Sequence, residues 1–485
     1  MTVSCFRVCA PHWWVSAPRM LATATTTATT AAALLVHGAF PARADAQGVR
    51  PSRPAVPAIA PAMQGTRAPV PIVFVHGNGD HAGLWDTNIW RFESNGYPRD
   101  RLFAVDLPAP LAGSTIDAVE LNRSTPDDQV AALSAFVTRV LLRTGAPKVV
   151  LVGSSRGGMT IRQYVRFGGG AAHVEAVVTC GTPNHGVMAV AGMPRMEFNG
   201  AGDYLQRLNT GSEVVAGVRF LTLRSDSLDK YAQPTGVGLG NPAMVTNVTA
   251  EGPALRGATN VVIPGTDHRE IAFGAQAFAS QYRFVTGRPP RTLAIAPEST
   301  VVLDGTVSGL LNNGPTNTPL IGARVTVHAV DPRTGVRDGM PRYAAATGAD
   351  GRWGPFTSTP GASYEFEVTA PDSSVIMHLY RSPILRSSGV INFRLPAPSR
   401  GTRDSVGVLL VRPRGYLGSG RDTVTLNGVP ARGIPRGIPT VDRVTGWFAA
   451  DSARTVITHV NGERIAVRTH PGDRRHVVVA EFQHE

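Results

Sequence analysis

Lys148-Val-Val-Leu-Val-Gly-Ser-Ser-Arg-Gly157 is the most informative stretch of this chain of 485 residues. Its apolar run, Val149 to Val152, is short and continuous, which is typical of a strand buried on both faces of a parallel sheet. A glycine-rich turn follows at once, and residues 158–167 favour a helix. A strand, a tight turn and a helix in this order can hold a serine hydroxyl exposed at the top of a sheet. The stretch therefore predicts an α/β fold with a nucleophile at the turn.

Ser155 is the candidate nucleophile of this turn. Gly153 and Gly157 lie two residues before and two residues after it, where the strained backbone of such a turn requires small residues. Ser154 is the neighbouring alternative, but its offset does not fit the glycine spacing.

Residues 68–290 alternate short apolar runs with amphipathic segments. Because the connections between them are short, this region predicts a mostly parallel sheet covered by helices on both faces. The predicted strands are Pro71–Val75, Leu102–Val105, Lys148–Val152, Val174–Thr179, Phe220–Leu223 and Thr259–Ile263, and the predicted helices are Asp128–Thr144, Gly158–Phe167 and 270–285.

An attack of serine on a carbonyl group also requires backbone N–H groups that point at the developing oxyanion. One of them normally comes from the residue after the nucleophile, here Arg156. The other comes from the loop after an early strand, and His76-Gly-Asn-Gly79 follows the first predicted strand. The sequence thus predicts the backbone N–H groups of Asn78 and Arg156 as the oxyanion hole.

The base and the acid should follow the nucleophile in the order serine, acid, histidine. His268 follows the last predicted strand and precedes the last predicted helix, where the base is expected. His173 and His185 are alternatives, but His185 comes directly after the fourth strand, which is too early.

Two aspartates, Asp226 and Asp229, follow the penultimate predicted strand, and either can serve as the acid. We favour Asp229, and Asp226 stays open as the alternative. Asp267, next to the candidate base, is a third choice.

After residue 290 the sequence changes to short alternating strands separated by Asn-Asn-Gly, Asp-Gly and Pro-Gly turns. This pattern predicts an all-β, sandwich-like C-terminal region. We divide it into a β-sandwich domain, residues 300–398, and a second β domain, residues 404–485. Whether the two segments form one domain or two stays open.

Residues 1–46 have the features of a signal peptide, with early arginines, a run of alanine and threonine, and small residues at Ala44 and Ala46. Cleavage near Ala46 makes Gln47 the new N-terminus, and Met20 is an alternative start to Met1. A proline- and alanine-rich linker follows at residues 47–67. The apolar part is shorter than the ~20 residues of a membrane span. The expected location is therefore secreted, either extracellular or in the cell envelope.

The formal net charge of +12 comes from scattered arginines, which disfavours nucleic-acid binding. Cys180 is the single cysteine outside the predicted signal peptide, so no internal disulfide is expected. No spacing of metal ligands is convincing. We therefore predict no metal, no cofactor, no stable membrane span and no obligate protein partner.

Over residues 71–290 these motifs resemble the bacterial secreted triacylglycerol lipases and carboxylesterases of the α/β-hydrolase superfamily. The motifs that carry the resemblance are Val75-His-Gly-Asn-Gly79, the Gly153–Gly158 turn, Cys180-Gly-Thr-Pro-Asn-His-Gly186, the segment Ser225–Pro234 and the segment His268–Gly287. In that family the acid follows a serine-containing stretch, and Ser227-Leu-Asp229 matches this pattern. Ser154, Arg156 and Asn78 depart from the residues that lipases often have at these positions.

The resemblance implies an α/β-hydrolase fold and a secreted serine ester hydrolase. Its substrates would be lipid esters, met at a lipid–water interface and cleaved through an acyl-enzyme. The order of domains is also similar to lipases whose C-terminal β domains shape the acyl-binding tunnel. Two alternatives are an extracellular polyester depolymerase of the polyhydroxyalkanoate type and, from another class, a surface adhesin or binding protein.

Overall fold

A computed structural model describes residues 68–398, 404–471 and 475–483. Its central sheet consists of six strands: β1 (Ile72–Val75), β2 (Leu102–Val105), β3 (Val149–Ser154), β4 (Val174–Cys180), β5 (Arg219–Arg224) and β6 (Thr259–Val262). All neighbours are parallel, in the order β6-β5-β4-β3-β1-β2. The predicted α/β fold with a mostly parallel sheet is confirmed.

The alternating direction of side chains along each strand supplies a separate apolar core to each face of this sheet. Val150 and Val152 of β3 belong to one core, and Val149 and Leu151 belong to the other. All four are fully buried, and each such side chain contributes about 1.5–3 kcal/mol to stability. The continuous apolar run of β3 is therefore explained by burial on both faces.

The helices of the α/β part, residues 68–290, are α1 (Asp86–Ser94), α2 (Pro126–Thr144), α3 (Arg156–Phe167), α4 (Asp203–Asn209), α5 (Glu270–Phe273) and α6 (Ala275–Thr286). Thr125 and Asp128 form a reciprocal capping box at the start of α2, and Gly145 ends this helix in the left-handed conformation. The helix expected over residues 270–285 is divided into α5 and α6 at Gly274, whose backbone is extended.

The C-terminal region is built from β-strands, as predicted. Its main strands are β7 (Val301–Ser308), β8 (Arg324–Ala329), β9 (Tyr343–Ala346), β10 (Arg352–Ser358), β11 (Tyr364–Thr369), β12 (Ile376–Arg381), β13 (Phe393–Arg394), β14 (Ser405–Val411), β15 (Val424–Leu426), β16 (Arg443–Ala449), β17 (Thr455–Val460), β18 (Glu463–Arg468) and β19 (His476–Glu481).

One seven-stranded sheet of this region, in the order β9-β8-β11-β12-β19-β14-β16, joins both halves of the region. The parallel pair β12–β19 runs in register from Ile376 with His476 to Arg381 with Glu481. Strands from residues 300–398 and 404–485 thus share one set of backbone hydrogen bonds. The domain boundaries themselves stay a prediction.

The α/β part and the β region share packed side chains. Trp90 of α1 belongs to the apolar core of the β-sandwich, and its Nε1–H donates to the carbonyl of Ser387 at 3.0 Å. The predicted signal peptide, residues 1–46, and the linker, residues 47–67, lie outside the described residues. No helix in the described part of the chain is both long and apolar enough to cross a membrane.

Candidate active site

Ser155 lies between β3 and α3 with φ of 52° and ψ of −122°. This positive φ is unfavourable for a residue with a side chain, and such strain concentrates at functional turns. The glycines around it are sterically required. A Cβ on Gly157 would lie 2.5 Å from the carbonyl oxygen of His76, and one on Gly153 would lie 2.7 Å from the backbone nitrogen of Gly158. The sequence spacing thus reflects close approaches of the backbone on both sides of Ser155.

The structure brings Ser155, His268 and Asp229 into one hydrogen-bonded chain. His268 Nε2 lies 3.0 Å from the Oγ of Ser155, and His268 Nδ1 lies 2.9 Å from each carboxylate oxygen of Asp229. Both His268 and Asp229 are buried. The ring of Tyr231 packs edge-to-face on the imidazole, with 4.6 Å between the ring centres. The imidazole is therefore held between a carboxylate, an aromatic ring and the serine hydroxyl.

The alternative acids have other partners. Asp226 accepts hydrogen bonds from the backbone N–H groups of Leu228 and Gly265, so it joins the acid loop to the base loop. Asp267 accepts from the backbone N–H groups of Arg269 and Glu270 and is fully buried.

The alternative bases and nucleophiles lie elsewhere. His185 is 3.0 Å from Glu213, and His173 is exposed. Ser154 is the buried last residue of β3. Burial raises the pKa of the Cys180 thiol to about 12, which keeps this cysteine protonated and unreactive.

The two predicted oxyanion donors approach Ser155 from two segments of the chain. Arg156 is the first residue of α3, where backbone N–H groups have no partner within the helix and carry its positive dipole end. The loop that contains Asn78 approaches from the other side, since a Cβ on Gly77 would lie 3.1 Å from the Cβ of Ser155. The side-chain Oδ1 of Asn78 accepts from the backbone N–H of Ala112 at 2.8 Å, which anchors this loop.

The side chain of Arg156 forms a buried ion pair that the sequence did not predict. It is 1% exposed and forms a two-pronged ion pair with Glu197, at 2.7 and 2.8 Å. Its guanidinium also donates to the carbonyl and hydroxyl oxygens of Ser124. The charge beside the nucleophile is thus fully partnered. The one signal in the sequence for this ion pair is that Arg156 is a charged residue within a glycine-rich turn that is predicted to be buried.

The predicted oxyanion loop, residues 76–80, is also held by the β region. Asn317 Nδ2 donates to the carbonyl of Asp80 at 3.0 Å and to that of Leu107 at 2.9 Å. Arg394 donates to the carbonyls of Gly79 and Asp80 at 2.8 and 3.1 Å. Neither residue had been singled out from the sequence, because both lie more than 200 residues from the loop they contact.

One histidine cluster in the β region has ligand atoms close enough to consider a metal: His378, His470 and His476. His378 Nε2 lies 2.7 Å from His476 Nδ1, whereas two nitrogens on a tetrahedral zinc at ~2.0–2.1 Å are about 3.3 Å apart. The three rings are stacked at interplanar angles of 6°, 15° and 20° instead of radiating from a point. His378 Nδ1 lies 2.6 Å from Glu365. This geometry fits a hydrogen-bonded chain rather than a metal site.

Two regions of the chain match models of known protein families. Residues 69–198 match the family model of class 2 lipases, and residues 299–398 match that of the lipase C-terminal domain. The first match includes the oxyanion loop and Ser155 and ends before Asp229 and His268.

Among solved structures, the chain is similar to the mature form of Bacillus licheniformis lipase BlEst2, with 22% identity over 47% of this chain and 96% of that chain and a TM-score of 0.34. The propeptide form of the same lipase shows 15% identity over 84% and 94%, with a TM-score of 0.34. Legionella pneumophila phospholipase PlaB shows 14% identity over 67% and 93%, with a TM-score of 0.31. These likenesses are weak, and the assignment rests on the two family models together with the sheet described above. The chain is therefore an ester hydrolase, in which a match to class 2 lipases over residues 69–198 is followed by a match to the lipase C-terminal domain over residues 299–398.

Proposed function

We propose that the protein hydrolyses lipid esters through a serine acyl-enzyme. The observation that carries this proposal is the chain of contacts from Ser155 to His268 to Asp229, at 3.0 and 2.9 Å. Distances of about 2.6–3.2 Å are those required of a nucleophile, its base and the group that orients the base. These three residues are sufficient to activate the serine.

The Oγ of Ser155 bonds to the ester carbonyl carbon while its proton passes to Nε2 of His268. The bond to the alkoxy oxygen then breaks, and the alcohol leaves with that proton. Water attacks the acyl-enzyme with His268 again as the base, which releases the carboxylic acid and restores the serine. Asp229 stabilises the imidazolium in both halves, and the N–H groups of Arg156 and Asn78 stabilise the oxyanion, each by ~3 kcal/mol.

A lipid substrate is supported by the family matches and by apolar surface near the oxyanion loop. Val119 and Leu121 are 99% and 64% exposed, and a nearby surface cavity is lined by Leu111, Leu121 and Leu311 together with the polar residues Glu120, Asn122, Arg123 and Asn312. Leu111 also packs against Gly79 of the oxyanion loop. Exposed apolar groups beside a reactive site favour contact with a lipid surface.

The test combines labelling and turnover. A fluorophosphonate should label the native protein, and Ser155→Ala should abolish labelling while Ser154→Ala retains it. A chain-length series of p-nitrophenyl esters should show turnover that depends on Ser155. Absence of labelling in folded protein contradicts the serine mechanism, and turnover of a polyester film in preference to all soluble and emulsified esters contradicts a lipid substrate.

We further propose that the protein is exported and loses residues 1–46. The support is the pattern of small residues at Ala44 and Ala46 after an alanine-rich stretch. N-terminal sequencing of protein recovered outside the cytoplasm should read from Gln47. A full-length chain that stays inside the cell contradicts this proposal.

A further inference from the structure

Tyr416 of the β region contacts the residues that follow the proposed acid and base. It lies in the turn after β14 and is buried. The Nζ of Lys230 is 3.7 Å from the centre of its ring, and the guanidinium carbon of Arg269 is 5.1 Å from it. Cations at such distances are attracted by the face of an aromatic ring. Because Lys230 follows Asp229 and Arg269 follows His268 in the chain, one ring contacts both loops that carry the pair.

Arg269 extends this link to the oxyanion loop. Its guanidinium donates to Asp80 at 2.9 Å, to Asp442 at 3.2 Å and to the carbonyl of Pro413 at 2.8 Å. Burial alone would lower the pKa of Arg269, but Tyr416, Asp80 and Asp442 outweigh burial and raise the pKa. The cation next to His268 is thus shared between the oxyanion loop and two segments of the β region.

The residue before His268 is held by the same turn of the β region. Asp267 accepts a hydrogen bond from the backbone N–H of Tyr416 at 2.6 Å and from Arg421 at 3.1 Å. Since Asp267 is fully buried, its carboxylate depends on these partners for its charge. Both neighbours of the proposed base are therefore bound by residues of the β region.

The hydrolase domain has contacts of its own between the acid and base loops. The hydroxyl of Ser225 donates to the carbonyl of Thr266, and Asp226 accepts from the backbone N–H of Gly265. Both contacts precede Asp229 and His268 in their loops. On the other side of Asp229 and His268, Tyr231 packs on the imidazole, and the ring of Tyr416 contacts Lys230 and Arg269.

We propose that Tyr416 is a positioning residue through which the β region sets the distance and angle between Asp229 and His268. This inference rests on the proposed serine mechanism. It follows from the geometry because catalysis requires these groups within a fraction of an ångström, and one ring of the β region contacts the residue after each of them.

The experiment compares variants of the full-length chain on a soluble short ester, p-nitrophenyl butyrate. Tyr416→Leu removes the aromatic face but keeps the backbone N–H that binds Asp267. We expect kcat to fall ~10- to 100-fold, as for a misplacement of about 1 Å, with KM within about threefold. Tyr416→Phe keeps the ring and should restore kcat. Tyr364→Leu, a buried tyrosine packed on Phe356 in the sandwich, is the matched control for lost stability alone.

Lys230→Met provides a second route if Tyr416→Leu does not fold, because it removes the cation from the hydrolase side. It should lower kcat, and it should add little to Tyr416→Leu, since both remove the contact between Nζ and the ring; Lys230→Met also removes the hydrogen bond from Nζ to the carbonyl of Thr440. Unchanged kcat in Lys230→Met, or equal kcat losses in Tyr416→Leu and Tyr364→Leu, would overturn the inference. Activity that persists in Ser155→Ala would instead contradict the proposed mechanism.

Discussion

At the scale of single residues, the carboxylates of Asp226 and Asp229 lie three positions apart and have different partners. Asp229 faces the imidazole of His268 with both oxygens, and Asp226 binds backbone N–H groups. Arg156 also depends on its partner. Removal of its side chain would leave Glu197 as an uncompensated buried charge, which would lower the free energy of unfolding by about 3–5 kcal/mol.

Asp229→Ala should lower kcat by ~10⁴-fold, because the imidazole loses the group that fixes its tautomer and stabilises its charge. Asp226→Ala is the control and should retain most of kcat, since it removes hydrogen bonds worth about 1 kcal/mol of stability. Steady-state kinetics on both variants checks the assignment. Equal losses of kcat in Asp229→Ala and Asp226→Ala would contradict the assignment of Asp229 as the acid.

At the scale of elements, the oxyanion loop is a short connection after β1 whose carbonyls are bound by side chains of the β region. Asn317 and Arg394 both reach the carbonyl of Asp80. A loop that must hold an N–H group ready for charge gains from such fixed contacts, because no reorganisation is then needed during the reaction.

Asn317→Ala should lower kcat by about tenfold, because the loop loses its hydrogen bond at the carbonyl of Asp80, the carbonyl of Leu107 loses another, and the N–H groups of the loop shift. Asn392→Ala is a suitable control, since Asn392 also joins the β region to the hydrolase domain but binds the side chain of Asp106. Kinetics and thermal unfolding of both variants should show similar losses of stability and different losses of kcat. A kcat unchanged in Asn317→Ala would contradict the role of the β region in fixing the oxyanion loop.

The histidine cluster joins β12, β19 and the segment after β18, and it should respond to pH. Burial, and next the charge of His378, lower the pKa of His470 from 6.5 to about 4. The unfolded chain therefore binds more protons in this window, and the free energy of unfolding should fall as pH falls from 6.5 to about 4. Denaturant unfolding of His470→Gln should show a weaker fall than the wild type, with exposed His173→Gln as the control. An identical pH profile for His470→Gln would contradict the assignment.

At the scale of the whole molecule, the β region is connected to the hydrolase domain both through packing and through the active-site loops. Trp90 enters the sandwich core, and Tyr416 contacts Lys230 and Arg269. The β region itself is joined across its two segments by the parallel pair β12–β19. The hydrolase site is thus supported by chain segments far from it in sequence.

A chain that ends at residue 398 should fail to form a stable monomer. It would lose β19, leave one edge of β12 unpaired and expose the sandwich core where Val477 and Val479 pack. Unpaired strand edges promote aggregation. Size-exclusion chromatography and ester turnover of the truncated and full-length proteins check this. A soluble, monomeric and fully active fragment would contradict the structural role of the shared sheet.

Much of the hydrolase architecture could be predicted because it depends on local patterns. The buried run at β3, the glycines around Ser155 and the capping box at Thr125 each act over a few residues. The order of serine, acid and histidine restricted the candidates further. The choice between Asp226 and Asp229 could not be made from residue pattern alone, because two aspartates in one loop satisfy the same local rule.

The sequence by itself determined the fold class, the turn that carries Ser155 and the region in which each partner had to lie. Only the tertiary structure decided that Asp229 meets His268, that Arg156 pairs with Glu197, and that Tyr416 of the β region contacts both active-site loops. The physical reason is distance along the chain. Strand, turn and helix signals come from neighbouring residues, whereas these contacts join groups about 40 to 190 positions apart, and only packing brings them together.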